Sequence, residues 1–197
     1  MAEAISLAKE LNDANALAYA LGWAATLACC ERNHEEVDRL ASELIELCTR
    51  HAFVHWLAIG AIWRGWARSA CGDTAEGIPW IEHGIRDYRA CAVLGLPSNL
   101  ARKAEALHLA DRTSEALEAI NEAQALAERF EHRWWYAELH RLRGVFLATL
   151  GADETQIETS FCAAISTAPF ARKSLIPRSI HGIPSAVSPE ALRAQPR

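Results

Sequence analysis

The sequence predicts an all-α solenoid of about four antiparallel helix pairs plus an N-terminal orphan helix. Three observations carry that expectation: a composition that favours helix, small residues recurring in pairs at one offset, and turn signals that cut the chain into hairpins. Alanine and leucine dominate, valine is scarce, and 51% of the 197 residues are apolar. Alanine and leucine lose little side-chain freedom on entering a helix. No run of alternating apolar and polar residues is bounded by turn signals, so strands have no clear candidate.

The small-residue pattern is the main signal. Gly22 is followed nineteen positions later by Ala41, Gly65 by Gly84, Ala104 by Ala123 and Gly144 by Ala163. Two helices cross closely only where neither carries a bulky side chain, so these pairs are expected at the crossings inside each hairpin. Each hairpin would then bury its remaining apolar face against the next.

Turn signals divide the chain accordingly. Glu3–Leu11 reads as a helix with Ile5 and Leu7 apolar. It resembles the second helix of a preceding pair, and an array that begins mid-pair suggests a piece of something longer. The first hairpin runs about Ala14–Cys30 and His34–Arg50, joined by the polar turn Glu31–Arg32–Asn33. The second runs about Phe53–Ala70 and Thr74–Ala92, where Gly72 is a natural helix stop and Asp73 or Thr74 a natural N-cap. Pro79 predicts a later start or a bend. The third runs about Ser98–Ala110 and Thr113–Phe130, with Pro97 just before its start and Thr113 or Ser114 as cap. Ala116, Ile120, Ala123 and Ala127 form its apolar stripe. The fourth runs about Trp134–Leu150 and Asp153–Ala168, joined at Gly151. A helical repeat domain is therefore expected over 1–168. Residues 169–197, where Pro169, Pro177, Pro184, Pro189 and Pro196 recur, read as a disordered or altered C-terminal tail.

Charge narrows the partners. The formal net charge is −5, yet residues after Ala168 carry five basic groups and one acid, which leaves −9 on residues 1–168. Phosphate contacts need a basic face, so nucleic acid is not an expected partner. The start lacks a basic flank before an apolar run, and no stretch of about 18 uncharged apolar residues exists, so neither a secretory signal nor a membrane span is expected. Six cysteines (Cys29, Cys30, Cys48, Cys71, Cys91, Cys162) show no CxxC spacing. They read as reduced thiols of a cytoplasmic protein, packing like small hydrophobes.

Candidate chemistry is thin. His51 and His55 have the four-residue spacing of helix-borne metal ligands, but no acid or cysteine nearby completes a set, and a hairpin corner explains them as well. His132 and His140 flank Trp134–Trp135–Tyr136, a cluster better suited to anchoring a helix than to stacking a ligand. Cys29–Cys30 ends a helix, where a thiolate is disfavoured. Neither a nucleophile elbow nor an HExxH motif occurs. No catalytic, cofactor or metal residue is assigned, and the chain is not expected to be an enzyme.

Several segments resemble one bacterial family: Leu17–Leu27 (LAYALGWAATL), Arg64–Ser69, Ala106–Ala119 (ALHLADRTSEALEA) and above all Glu138–Gly144 (ELHRLRG). They are similar to the C-terminal tetratricopeptide-like region of large signalling ATPases, which carry an adenylate or guanylate cyclase domain or a winged-helix DNA-binding domain. The resemblance covers roughly residues 2–168. It implies a tetratricopeptide-like solenoid acting as a protein-interaction or sensor module, whose partner is a protein, a peptide or a switch ATPase domain. The chain has no GxxxxGK[ST] phosphate loop, so ATP binding by these residues is not implied. In tetratricopeptide hairpins the first helices line the concave groove. Carried over, that points Tyr19, Trp23 and Thr26, Ile62, Trp66 and Ser69, Ala101, Glu105 and His108, and Arg141, Val145 and Ala148 into the groove. Tyr19, Trp23, Ile62, Trp66, Glu105, His108 and Arg141 are the candidate partner contacts, since aromatic and arginine side chains are common anchors. The alternative reading is a truncated remnant of such a protein with no independent activity.

Overall fold

The computed structural model describes residues 1–131 and 135–167. Among them are nine helices and no strand: α1 (Ala2–Glu10), α2 (Ala14–Cys30), α3 (His34–His51), α4 (Val54–Ala70), α5 (Thr74–Cys91), α6 (Leu96–Leu109), α7 (Thr113–Arg129), α8 (Tyr136–Thr149) and α9 (Glu154–Thr167). The pairs α2/α3, α4/α5, α6/α7 and α8/α9 are the expected hairpins, and α1 is the extra helix before them. Most bounds fall within a residue or two of expectation. Pro79 lies inside α5 without delaying its start, because at the sixth position it removes only one backbone bond. Pro97 lies inside α6, one residue after its start, where its missing N–H has no helical partner to lose. The expected tail 169–197 lies outside the described residues.

The turns share one geometry. Asn12, Arg32, Ala52, Asp111 and Glu131 have φ between 52° and 59°, and Gly72 and Gly151 have φ of 100° and 67°. From Asn12 to Gly72 these positions are twenty residues apart, and so are Asp111, Glu131 and Gly151. After most of them the next amide closes the helix behind. Asp13, Asn33, Phe53, Asp73, Arg112 and Ala152 donate to the carbonyls of Ala8, Ala28, Cys48, Arg68, Leu107 and Leu147, five residues back, at 2.9–3.0 Å. That bond satisfies a carbonyl at the helix end that would otherwise lack a partner. Asp13, Asn33 and Asp73 then cap the following helix, accepting from the amides of Ala16, Glu36 and Glu76. The expected cap at Thr113 or Ser114 is not made: the cap position is Arg112, without a side-chain bond. The Thr113 hydroxyl instead meets Nδ1 of His108 at 3.0 Å. The twenty-residue rhythm breaks once. Ala92 is extended, and α6 starts from Gly95, whose amide donates to the Tyr88 hydroxyl.

The expected pairing of small residues needs correction in the second hairpin. A side chain at Gly65 would run into the Gly77 carbonyl and Ile81, while one at Gly84 would meet Ile62 and the Ala58 carbonyl. Each glycine therefore makes its own crossing instead of sharing one. The antiparallel register through the turn at Gly72 puts residue 65 opposite about 79, not 84. Other close approaches lie between elements: Gly22 sits under the Trp56 ring, Gly60 against Ile45, and Gly144 against Phe161. The need for tiny side chains at helix crossings stands, but the nineteen-residue offset does not name the mates.

Each pair packs its second helix on the first helix of the next, α3 on α4, α5 on α6 and α7 on α8, and the first helices also touch, α2 with α4, α4 with α6 and α6 with α8. The core threads the stack, with Leu21, Leu40, Leu44, Ile62, Trp66, Ile81, Leu100, Leu107, Ile120, Leu139 and Phe146 all essentially inaccessible.

Candidate partner-binding face

The candidate face begins on α2, a helix without a single charged side chain. Tyr19 and Trp23 remain on its surface at 58% and 41% exposure. Their rings lie 6.1 Å apart, and Tyr19 meets the edge of Trp56 on α4 at 5.6 Å. Thr26 lies along the same stripe, its hydroxyl turned back onto the Gly22 carbonyl. The helical spacing of residues 19, 23 and 26 therefore produces one aromatic strip.

Two predicted contacts are overturned. Ile62 and Trp66 are each 1% exposed, so they belong to the core and cannot greet a partner. Ser69 and Ala101 are likewise buried. The carry-over failed there because Ile62 and Ser69 pack against Gly84 and Gly77 of α5 within their own hairpin, and Trp66 turns onto Glu105 of α6, so these positions face helices and not an open groove. His108 is half-buried, held by Thr113 and by the Phe146 ring at 4.9 Å, a structural role.

Glu105 and Arg141 do meet, through residues the sequence reading passed over. The Trp66 indole donates to Glu105 Oε2 at 2.9 Å. Arg32, from the turn after α2, bonds the other oxygen of Glu105 at 2.7 Å. Its second nitrogen lies 3.9 Å from Glu138, which is gripped by both Nε and Nη2 of Arg141 at 2.8 and 2.7 Å. One polar chain thus joins α4, α6 and α8 to the turn between α2 and α3, 73 residues from Glu105. Burial works against the Arg32 charge, but Glu105 and Glu138 outweigh it, and its pKa rises. The Arg32 side chain is 46% exposed, so the cluster opens to solvent at that end. The left-handed turn at Arg32 was the missed cue: a long cation held by rigid backbone at a hairpin tip projects beyond its own pair.

Beneath this chain lies Arg102, 4% exposed. Its guanidinium lies 3.6 Å from the Trp63 ring centroid and 5.2 Å from that of Trp135. It donates to the Ser98 carbonyl at 2.9 Å and weakly to Asn99, while its Nε finds no partner. Burial lowers its pKa, opposed by Cys29 and Glu105. Burial also pushes the neighbouring Cys29 thiol up to about 11, so this cysteine is held as a thiol.

The remaining candidates separate. His51 ends α3 and stacks on Phe53, whereas His55 is on α4 beside Tyr88 and Cys91. Their spacing thus crosses a turn and does not define one helix face. His132 lies outside the described residues, and His140 pairs with Gln124 at 3.0 Å. No group of three potential metal ligands occurs among the described residues. On the outer side, an open cleft of about 730 Å³ separates α5 from α7, with Glu82, Arg89, Lys103 and Glu122 on its walls. Four of its charges pair across it, Lys103 with Glu82 and Arg89 with Glu122.

A series of α-hairpins, most of them closed by one repeated turn and each packed on the next, defines a tetratricopeptide-like solenoid. Comparison with known proteins agrees at that level. The crystal structure of Bacillus thuringiensis PlcR in complex with the peptide PapR7 and DNA superposes with a TM-score of 0.58 at 14% identity, covering 77% of this chain and 69% of that one. An uncharacterized protein of Rhizobium meliloti (strain 1021) is 26% identical over 165 residues, 83% of this chain. The chain spans only 16% of that relative's length. No family model matches.

Proposed function

We propose that the chain is a protein-interaction or sensor module whose concave face takes a peptide or an extended segment of a partner protein. The carrying observation is the exposed Tyr19–Trp23 strip leading into the ionic cluster of Arg32, Glu105, Glu138 and Arg141. Exposed aromatics beside half-buried arginines are the usual composition of binding anchors, and the solved neighbour was crystallised with a peptide. Binding of this kind needs no catalytic group, so the reading is of a non-enzyme. The proposal extends, on the ELHRLRG resemblance alone, to a place beside a cyclase- or transcription-linked switch ATPase in the cytoplasm. A partner that binds two states of that assembly unequally would shift their balance. None of the described helices is long and apolar enough to cross a membrane. The acidic balance of residues 1–168 speaks only for this chain's own surface, and the neighbour was solved with DNA as well as peptide.

A second reading, a truncated remnant without independent activity, is favoured by the match to only 16% of the longer relative. Capture of a peptide pool by the full chain separates the two. Wild type should retain peptides that the Tyr19→Ala, Trp23→Ala double variant releases. Equal retention by both proteins would reject the concave face as the site. Trp66→Ala is unsuited to this purpose, because it would hollow the core.

A further inference from the structure

We propose that the concave face reads polarity: it takes an extended peptide whose apolar side chains rest on Tyr19 and Trp23 and whose carboxylates lie against Arg32 and Arg141. This rests on the peptide-binding reading above and adds the chemistry of the ligand.

The charge inventory is the first argument. The cluster holds three cations, Arg32, Arg102 and Arg141, against two carboxylates, Glu105 and Glu138. No carboxylate bonds Arg102: its partners are the Ser98 carbonyl, Asn99 and the Cys29 thiol, and its Nε is unpartnered. Glu105 already serves the Trp66 indole and Arg32, so it has little capacity left for Arg102. The inner face is thus short of one anion within a body whose charge is −9. A carboxylate arriving from solvent meets Arg32 first, since that side chain is 46% exposed. An arriving amine would add a fourth cation to the same partly buried cluster.

Direction and length follow from α2. Its apolar strip starts at Tyr19, and the helix carries no charged side chain as far as its end at Cys30; the exposed Glu31 precedes Arg32 in the turn, while the Arg32 guanidinium itself reaches across to Glu105. The eleven helical steps from Tyr19 to Cys30 span about 17 Å, and the turn to Arg32 extends that to the reach of about six extended residues. Nucleic acid fits less well. It needs cations in series along its phosphates, and here they gather at one end while α2 supplies none.

The test uses N-terminally fluorescein-labelled hexapeptide pools with free C-termini. The first three positions are mixed leucine, phenylalanine and valine, and the last two are acidic, amide or basic in matched sets. By fluorescence polarisation, the full chain should bind the acidic pool at least about tenfold tighter than the amide pool, with the basic pool weakest. Arg32→Asn with Arg141→Gln should level that preference, while the outer-face control Arg39→Gln should keep it. Asparagine is chosen because it tolerates the left-handed turn, and circular dichroism of the variant should retain the helical signal. If the double variant loses that signal, Arg141→Gln alone must narrow the preference. Binding of all pools with equal strength, a basic preference, or an acidic preference that survives in the folded variant would overturn the proposal while leaving peptide binding intact. Displacement of the acidic pool by a lower concentration of single-stranded DNA would also overturn it, in favour of nucleic acid. If no pool binds, the peptide-binding reading falls with it.

Discussion

Trp66 shows how one side chain changes meaning between sequence and structure. Read along a helix it is an aromatic anchor; in the fold it is 1% exposed and spends its indole N–H on Glu105. Trp66→Phe keeps most of the ring volume and removes that donor. A hydrogen bond to a charged group is worth about 1.5–3 kcal/mol, so urea denaturation should show a loss of that order. No loss would mean that water or Arg32 alone satisfies Glu105. Arg32 went unnoticed because a turn arginine has no periodicity to betray it. Arg102 went unnoticed because a cation within a helix normally reads as a solvent-facing residue, whereas here its charge lies over the Trp63 ring.

At the scale of elements, the hairpins were legible to within a residue or two. Asp13, Asn33, Asp73, Gly72 and Gly151 act locally, so their effect on helix ends is written next to them in the chain. The crossings were less legible, since a small residue announces that something comes close without naming it. That distinction is measurable. Gly65→Ala would drive a methyl into backbone at Gly77 and Ile81, whereas Gly144→Ala meets only the edge of the Phe161 ring at 2.9 Å. Overpacking costs about 1–3 kcal/mol, with rigid neighbours at the upper end. Thermal unfolding should therefore rank Gly65→Ala well below Gly144→Ala in stability. The reverse order would contradict the α4/α5 crossing.

For the molecule as a whole, acid should loosen the stack. Burial lowers the pKa of His34, His55 and His140 below the ordinary 6.5, with Arg32 adding to the effect at His34 and Arg143 at His140. Above 6.5 both the folded and unfolded chains hold these rings neutral, so nothing is gained or lost. As pH falls below 6.5 the unfolded chain takes up protons first, and stability drops until the folded values are passed. Each ring contributes at most about 1.4 kcal/mol per unit of pH. Denaturant midpoints should decline from pH 7 to 5, and His140→Gln should make the decline shallower. A midpoint that rises on acidification would contradict the buried setting of these rings.

The sequence by itself determined the class: helices, their turns, the pairing into hairpins and the placement of Tyr19 and Trp23 on one open strip. These depend on neighbours within a few residues, where composition and spacing speak directly. Only the tertiary structure decided that Ile62 and Trp66 are interior, and that Arg32 reaches Glu105 and Glu138 two and three hairpins further along the stack. Curvature is the sum of small rotations at every interface, and no single repeat records that sum.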